Sequence, residues 1–168
     1  GTFQEITQDE GRIIIPFIDK EGSVFGFQGR SLYNTGLRYI TILLDEERPK
    51  IFGMNTVDYE KTIYITEGPF DSLLVRNSVA MAGADVSHQT FDARNCVYVY
   101  DNEPRNRQIT DRIAKHISDG DNVVIWPSSI KEKDINDMFL AGHNVQDIVE
   151  SNTYQGLTAT LKLNDWRK

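Results

Sequence analysis

Residues 62–74 read TIYITEGPFDSLL, a pattern that is typical of an α/β fold. The apolar run Ile63–Ile65 is typical of a short strand, and the glycine and proline after Glu67 end it. An apolar helical spacing follows and predicts a helix over residues 70–76. Glu67 therefore stands where a strand passes into a helix. In α/β folds, ligands bind at this place, outside the carboxyl ends of the strands.

Two further predicted strands repeat this arrangement and also lead into acidic residues. Residues 96–100 (CVYVY) run directly into Asp101 and Glu103, and residues 122–126 are followed by the sequence KDIND, which contains Asp134. Hard cations such as Mg²⁺ prefer oxygen ligands of this kind. The three strand ends together predict one acidic metal pocket.

Each of these acidic motifs is weak when it is taken alone. Short patterns such as D-x-E occur often by chance, and most surface carboxylates are simply solvated. Their combination is stronger, because all three follow strands in the same half of the chain. Two divalent ions held by such acids can bridge the attacking and leaving oxygens of a phosphoryl transfer.

The composition is that of a folded protein of one domain, or of one and a fraction. The 168 residues are 39% hydrophobic and 26% charged, which is sufficient for a sound core. The one cysteine excludes an internal disulfide and a cysteine-based zinc site, so a reducing cytoplasm is the expected compartment. Neither a membrane-spanning run nor a signal peptide is visible. Because the first residue is Gly1 and not Met, we expect the chain to be a fragment of a longer protein.

The formal net charge of −7 bears on nucleic-acid binding. Proteins that hold a nucleic-acid backbone electrostatically are usually basic. Either this chain does not bind polynucleotides tightly by itself, or some of its acids are committed to cations. Repulsion among clustered carboxylates supports the second alternative, since bridging cations would relieve it.

Residues 1–60 are predicted to be mostly β. The predicted strands in this part are residues 12–18, 23–27, 37–44 and 50–54, and the first two form a hairpin around a DKEG turn. Gly26 and Gly29 lie in and beside the second strand. Glycines in such positions indicate a bulge or a close approach of another part of the structure.

From residue 61 to about residue 150, strand and helix patterns alternate. The remaining predicted strand is 78–82, and the remaining predicted helices begin near 86–91 and cover 109–117, 134–140 and 145–149. This alternation predicts a parallel sheet with helices on both faces. After residue 150, the alternating sequence LTATLKL (157–163) predicts an edge strand, followed by a polar tail. We therefore divide the chain into residues 1–60, 61–150 and 151–168.

The acidic stretches, taken with their flanks, resemble a known domain. The segments TEGPFDSL, NSVAMAGADVS, VYVYDNE and KDIND are similar to the TOPRIM domain, which DnaG-type primases share with topoisomerases, OLD-type nucleases and recombination proteins. The resemblance implies an α/β fold. Its core would be a compact Rossmann-like parallel sheet with flanking helices, preceded here by a mostly β N-terminal subdomain.

Two features are typical of the primase branch. The sequence RIIIPFIDKEGSVFGFQGR (12–30) resembles the segment before TOPRIM in DnaG-type primases, and KDIND resembles the element that closes their metal site. The resemblance extends from about residue 12 to residue 142, and it is closest to the primases of T-even-like phages, which favour D-N-E. Glu103 and Asn136 depart from the commoner pattern, which has an aspartate at the first position and an acid at the second.

The resemblance implies roles for five acidic residues. Glu67 is the expected general base for the 3′-hydroxyl and also a metal ligand. Asp101 and Glu103 match the metal ligands of the D-x-D type. Asp71 matches a supporting acid, and Asp134 would hold a further cation. The implied cofactor is Mg²⁺ or Mn²⁺, as two or more ions.

The resemblance also implies basic residues at the nucleotide or the nucleic acid. They are Arg30, Arg38, Lys50 and Lys133. After Glu103, relatives often have an Ala-Gly pair, whereas this chain continues with PRNR (104–107), which contains Arg105 and Arg107. They either add phosphate contacts or form a solvated basic turn.

By resemblance, the chain is expected to be the RNA-polymerising core of a DNA primase in the host cytoplasm, without membrane association. Its expected partners are a single-stranded DNA template, ribonucleoside triphosphates, the RNA primer and, through the full-length protein, a replicative helicase. Two alternatives remain open. One is a metal-dependent TOPRIM nuclease that hydrolyses phosphodiesters, and the other is a non-enzymatic module that binds a replication complex.

Overall fold

The computed structural model describes residues 11–33, 37–83 and 95–168, and these form an α/β fold with two sheets. The strands are β1 (Arg12–Ile18), β2 (Val24–Ser31), β3 (Tyr39–Leu43), β4 (Ile63–Thr66), β5 (Ser78–Ala80), β6 (Cys96–Val99), β7 (Asn122–Val124) and β8 (Thr153–Tyr154). The helices are α1 (Pro69–Ser72), α2 (Arg107–Ser118), α3 (Ile135–Leu140), α4 (Val145–Ser151) and α5 (Gly156–Trp166). None of these helices is long and apolar enough to span a membrane.

The first sheet is antiparallel, in the order β1-β2-β3, and contains the predicted hairpin. Cross-strand pairing places Ile13, Arg30 and Tyr39 side by side on one face. Gly26 lies where β2 approaches β3 closely, since a Cβ atom there would come within 2.8 Å of the Ile42 carbonyl oxygen. The close approach predicted from the glycines is therefore confirmed at Gly26.

The second sheet has the order β5-β4-β6-β7-β8. Neighbours from β5 to β7 pair in parallel, and β8 adds an antiparallel edge. The predicted parallel sheet is therefore confirmed, although each strand is shorter than predicted. Because these strands are parallel, their carboxyl ends lie along one edge of the sheet, where Glu67 and Asp101 follow β4 and β6.

Helices cover both faces of this sheet, as its buried strands require. On one face, Tyr98 of β6 shares a core with Ile113 of α2 and Leu163 of α5. On the other face, Val99 of β6 shares a core with Met138 of α3. Successive residues of one strand thus serve opposite cores, which fixes the register of the strand.

Residues 157–163 form part of helix α5, so the edge strand predicted there is wrong. Ala159 and Leu163, four residues apart, are buried in the core beside α2, whereas Leu157 and Leu161 are 75% and 58% exposed. A strand would place all four side chains on one face. Burial at positions i and i+4 is the pattern of a helix. The edge strand of the sheet is instead β8, which ends just before this helix.

Residues 50–54 do not form the predicted strand. Phe52 makes only an isolated bridge with Ala80. The extended run is interrupted because Pro49 precedes it and Gly53 has a φ of 91°, outside the range of a strand.

The predicted helices differ in how well they match the structure. The helix predicted over residues 70–76 ends at Ser72 and continues as turns. The helices predicted over 109–117, 134–140 and 145–149 are confirmed as α2, α3 and α4. The helix predicted to begin near residues 86–91 lies outside the described residues.

Candidate active site

A cleft of about 750 Å³ separates the first sheet from the carboxyl ends of the parallel strands. Its acidic lining residues are Glu67, Asp71, Asp101, Asp134 and Asp137, and its basic ones are Arg30, Arg38, Lys50 and Lys133. Side chains from β2 and β3 thus face side chains that follow β4 and β6. Most of the acidic and basic residues predicted for the site therefore meet in one cleft.

Glu67 is fixed by contacts from two other elements. Its Oε2 accepts the backbone N–H of Asp101 at 3.2 Å, which ties the end of β4 to the end of β6. Its Oε1 lies 3.6 Å from Nη1 of Arg112 on α2. The Glu67 side chain is only 25% exposed, so this arginine balances a carboxylate that is largely withdrawn from water.

Asp71 links α1 to the start of α3. Its Oδ1 accepts the backbone N–H of Asn136 at 3.1 Å. The carboxylate fits because Gly68 has no side chain, and a Cβ atom at Gly68 would lie 2.7 Å from Oδ2 of Asp71. Burial, with the nearby carboxylates of Asp134 and Glu67, raises the pKa of Asp71 to about 6.

Asp101 lies where the negative charges of the cleft converge. Burial is the main cause that raises its pKa to about 8, and the carboxylates of Glu67, Asp71 and Asp134 add to the rise. Lys133 acts in the opposite direction. The positive charge of Lys133 therefore does not offset the effects of burial and of the neighbouring carboxylates on Asp101. A bound cation would stabilise such a cluster of acids.

Asp134 caps helix α3. Its Oδ1 accepts the backbone N–H of Asp137 at 2.8 Å, in the N-cap position. Helix capping alone therefore explains an aspartate at position 134 of the KDIND sequence, without a bound ligand. It also keeps the Asp134 carboxylate at the cleft, where it contributes to the raised pKa values of Asp71 and Asp101.

Some predicted site residues lie outside the lining of the cleft. Glu103 turns toward Lys133, with its Oε1 3.6 Å from the lysine Nζ. Arg107 is 92% exposed and lies 3.5 Å from Asp111, one turn further along α2. Arg105 is also exposed. The metal role of Glu103 stays a prediction, and so do both alternatives for Arg105 and Arg107, phosphate contacts or a solvated basic turn.

The basic wall of the cleft is supported by aromatic rings. The guanidinium of Arg30 lies 4.5 Å from the ring centroid of Phe70 and 5.8 Å from that of Tyr39. Arg38 lies 5.7 Å from the same tyrosine ring. Stacking of this kind orients a planar guanidinium, whose edge can still donate hydrogen bonds to phosphate oxygens.

Two residues of the site were not predicted from the sequence. Arg112 contacts Glu67, but no local pattern shows which polar residue of a helix reaches a neighbouring strand end. Asn102 connects the loop after β6 with the loop after β7, since its Nδ2 donates to the Glu132 carbonyl at 2.9 Å. One signal for Asn102 was available in the sequence, its position between the two acids of the D-N-E sequence.

The described parts of the chain contain no preformed metal cage: no group of three or more His, Cys, Asp or Glu side chains there could hold one ion. Glu67 lies beside Arg112 and Glu103 lies beside Lys133, so each of these carboxylates already has a basic partner. The acidic lining nevertheless offers the oxygen donors that Mg²⁺ and Mn²⁺ prefer. Mg²⁺ typically takes one or two carboxylates and completes its shell with water and substrate phosphates. The cleft therefore offers carboxylate ligands of the kind that a partly hydrated divalent ion takes.

Comparison with known proteins agrees with this arrangement. The chain is 35% identical to the DNA primase of Enterobacteria phage T4 over 176 aligned positions, which cover all of this chain and 51% of the T4 protein. It thus spans about half the length of that relative. No protein-family model matches the chain.

Solved primase structures share the fold. A DnaG primase catalytic domain bound to single-stranded DNA matches with a TM-score of 0.67 and 18% identity, over 90% of this chain and 54% of that one. The RNA polymerase domain of Mycobacterium tuberculosis DnaG, in complex with a double-stranded DNA oligomer with a 6-nucleotide overhang, matches with a TM-score of 0.66 and 18% identity, over 93% of this chain and 55% of that one. The chain is therefore a homologue of the phage T4 DNA primase, and its fold is that of the DnaG-type primase catalytic core.

Proposed function

We propose that this chain is the RNA-polymerising core of a DNA primase, which joins ribonucleoside triphosphates into short RNA primers on single-stranded DNA. The observation that carries the proposal is the two-walled cleft, in which acids that follow parallel strands face Arg30 and its basic neighbours across about 750 Å³. Nucleotidyl transfer needs both walls. The reacting 3′-hydroxyl must lose a proton, and the triphosphate must be held in line by positive charge.

Glu67 is the proposed general base. Its carboxylate accepts the proton of the primer 3′-hydroxyl, whose oxygen forms a bond to the α-phosphorus of the incoming nucleotide while the bond to the departing pyrophosphate breaks. The Asp101 N–H and the Arg112 guanidinium contact the two carboxylate oxygens, so the base is oriented in advance. General-base catalysis of this kind contributes roughly 10²- to 10⁴-fold to a rate.

Asp101 and Glu103 would hold Mg²⁺ or Mn²⁺, with Glu67, Asp71 and Asp134 completing the acidic set for two or more ions. When bound, such ions neutralise the charge that develops on the phosphate and the pyrophosphate. The raised pKa of Asp101 supports this assignment, because burial and three neighbouring carboxylates disfavour its ionised form, and a bound cation would favour that form.

The basic wall is assigned to phosphate groups. Arg30 and Arg38, held against aromatic rings, would contact the triphosphate or the backbone of the template–primer hybrid. Lys50 and Lys133 line the same cleft and would add charge. Arginine suits this role because its planar fork matches the oxygens of a phosphate.

The proposed partners follow from the reaction. A single-stranded DNA template would run along the cleft, and the single-stranded DNA bound to a structurally similar DnaG catalytic domain supports this assignment. A replicative helicase is a further proposed partner, and the likeness of the fold to the primase fragment of the bacteriophage T7 primase-helicase protein supports it.

A primer-extension assay tests the proposal. The protein is mixed with Mg²⁺ or Mn²⁺, ribonucleoside triphosphates and a labelled RNA annealed to a DNA template, so that recognition of a start sequence is not needed. RNA that lengthens with the wild type, and not with Glu67→Gln, is the expected result. Nucleic acid that shortens would favour the nuclease alternative, and DNA binding without either change would favour the non-enzymatic module.

A further inference from the structure

Asn102 lies between the two acids of the D-N-E sequence and connects their loop to the loop after β7. Its side-chain amide donates one hydrogen bond to the carbonyl oxygen of Ile130 at 3.2 Å and another to that of Glu132 at 2.9 Å. Its backbone N–H donates to the carbonyl oxygen of Lys133 at 2.6 Å. The N–H groups of this residue are therefore all used by the loop after β7.

The remaining polar atom of the Asn102 side chain is used by helix α5. Trp166, the last residue of α5, donates its indole Nε1–H to Oδ1 of Asn102 at 3.0 Å. An indole nitrogen can only donate, so the amide oxygen must face Trp166 and the NH₂ group must face the two loop carbonyls. Asn102 thus joins α5, the loop after β6 and the loop after β7.

The two joined loops carry acids of like charge. Asp101 begins the loop after β6, and Asp134 ends the loop after β7. Asp101 and Asp134 both line the cleft, so the two carboxylates repel each other when both are ionised, and this repulsion tends to separate the loops. The hydrogen bonds of Asn102 oppose that separation, because they connect the loops without depending on charge.

We propose that Asn102 is a positioning residue that keeps both acid-bearing loops within reach of the same divalent ions, and that Trp166 holds its amide in the donating orientation. The inference rests on the proposed metal-dependent function. It gives the site a supporting helix, α5, that is not itself part of the cleft lining.

Mn²⁺ binding to the intact chain, followed by the electron paramagnetic resonance signal of the free ion, tests this role without requiring catalysis. In Asn102→Ala, the Mn²⁺ affinity is expected to fall about 10- to 100-fold, the usual effect of removing a group that orients metal ligands. Trp166→Phe keeps an aromatic ring and removes one donor, so a smaller fall is expected. Asn122→Ala is the matched control, because it removes a side-chain amide bonded to Asn95 at the opposite edge of the sheet. The control should keep the wild-type affinity.

Melting temperatures of the same samples separate positioning from stability alone. A purely structural role predicts a folded Asn102→Ala protein with a lower melting temperature and wild-type Mn²⁺ affinity, and that result would overturn the inference. Where Asn102→Ala does not fold, unchanged affinity in Trp166→Phe would overturn it instead. A wild type that binds no Mn²⁺ would overturn the proposed metal site and the positioning role together. Wild-type binding that persists in Asn102→Ala would overturn the positioning role alone.

Discussion

The backbone N–H of Asp101 donates to Oε2 of Glu67 across 3.2 Å, so two parallel strands are joined through the carboxylate proposed as the base. Glu67 therefore has a structural contact as well as a proposed chemical role. A substitution that keeps an acceptor oxygen and removes the basicity separates the two.

Glu67→Gln is that substitution. Its kcat for primer extension is expected to fall roughly 10²- to 10⁴-fold. The melting temperature should fall only slightly, because the amide oxygen still accepts the Asp101 N–H and only the contact with the partly exposed Arg112 is lost. Single-turnover extension and thermal melting measure the two effects. Glu150→Gln, on the exposed side of α4, serves as the control and should retain activity. Full activity in Glu67→Gln would refute the general-base role.

The stability of the metal-free protein should depend on pH through the raised pKa values of Asp101, about 8, and Asp71, about 6. Such a carboxyl stays protonated in the folded state at pH values where it is already ionised in the unfolded chain, so stability falls as the pH rises from about 4 to about 8. Urea unfolding in EDTA across this range measures the effect. Asp101→Asn should flatten the profile, and Mg²⁺ should stabilise the wild type most at the alkaline end. A flat wild-type profile would contradict the crowding of these acids.

Gly68→Ala is expected to displace the Asp71 carboxylate, because the added Cβ would lie 2.7 Å from Oδ2. The hydrogen bond from the Asn136 N–H would then weaken, and the free energy of unfolding should fall by about 1 kcal/mol. In an Asp71→Ala background the same change should cost little. Chemical denaturation of the single and double variants measures the coupling free energy between Gly68 and Asp71. Strictly additive losses would show that Gly68 does not accommodate Asp71.

Arg30→Ala should weaken binding of single-stranded DNA and lower the slope of log affinity against log salt by about 1, the share of one phosphate contact. Arg30→Lys should recover the charge but not the stacking between Phe70 and Tyr39, so its affinity should be intermediate. Fluorescence anisotropy at several salt concentrations measures both. Arg76→Ala, an exposed arginine outside the cleft, is the control. An equal loss in that control would indicate a general charge effect.

Two leucines of α5 distinguish the helix from the strand predicted there. Leu163→Ala should lower the free energy of unfolding by about 2–5 kcal/mol, because it removes a buried side chain. Leu161→Lys should change it by less than about 0.5 kcal/mol, because that side chain lies on the exposed face. In an edge strand, Leu161 and Leu163 would lie on the same face. Comparable losses in the free energy of unfolding of the two variants would therefore contradict the helix.

The parallel sheet and its acidic edge could be predicted from the sequence because each signal was local. An apolar run that ends at a glycine and proline, as after Glu67, marks the end of a strand. Parallel strands then bring such ends together, and Asp101 meets Glu67 as expected. Helix α5 could not be predicted this way, since its apolar residues satisfy the strand period as well as the helical one. Only packing beside α2 selects Ala159 and Leu163 as the buried pair.

The details of the site depended on loop paths that no local pattern encodes. Glu103 lies two residues after Asp101 but is not part of the cleft lining, and its carboxylate instead lies 3.6 Å from Nζ of Lys133 at the rim. The path of this loop is held by the contacts of Asn102, whose partners come from distant parts of the chain. The arginine that meets Glu67 likewise comes from the middle of α2.

Strand β4 lies between β5 and β6, with hydrogen-bonded neighbours along both of its sides. The backbone of such a buried inner strand is among the last parts of a protein to open in hydrogen exchange. Glu67 directly follows this strand, so its backbone is held in place by the sheet. Strand β2 on the opposite wall is likewise an inner strand, so any closing of the cleft would have to move the first sheet as a unit.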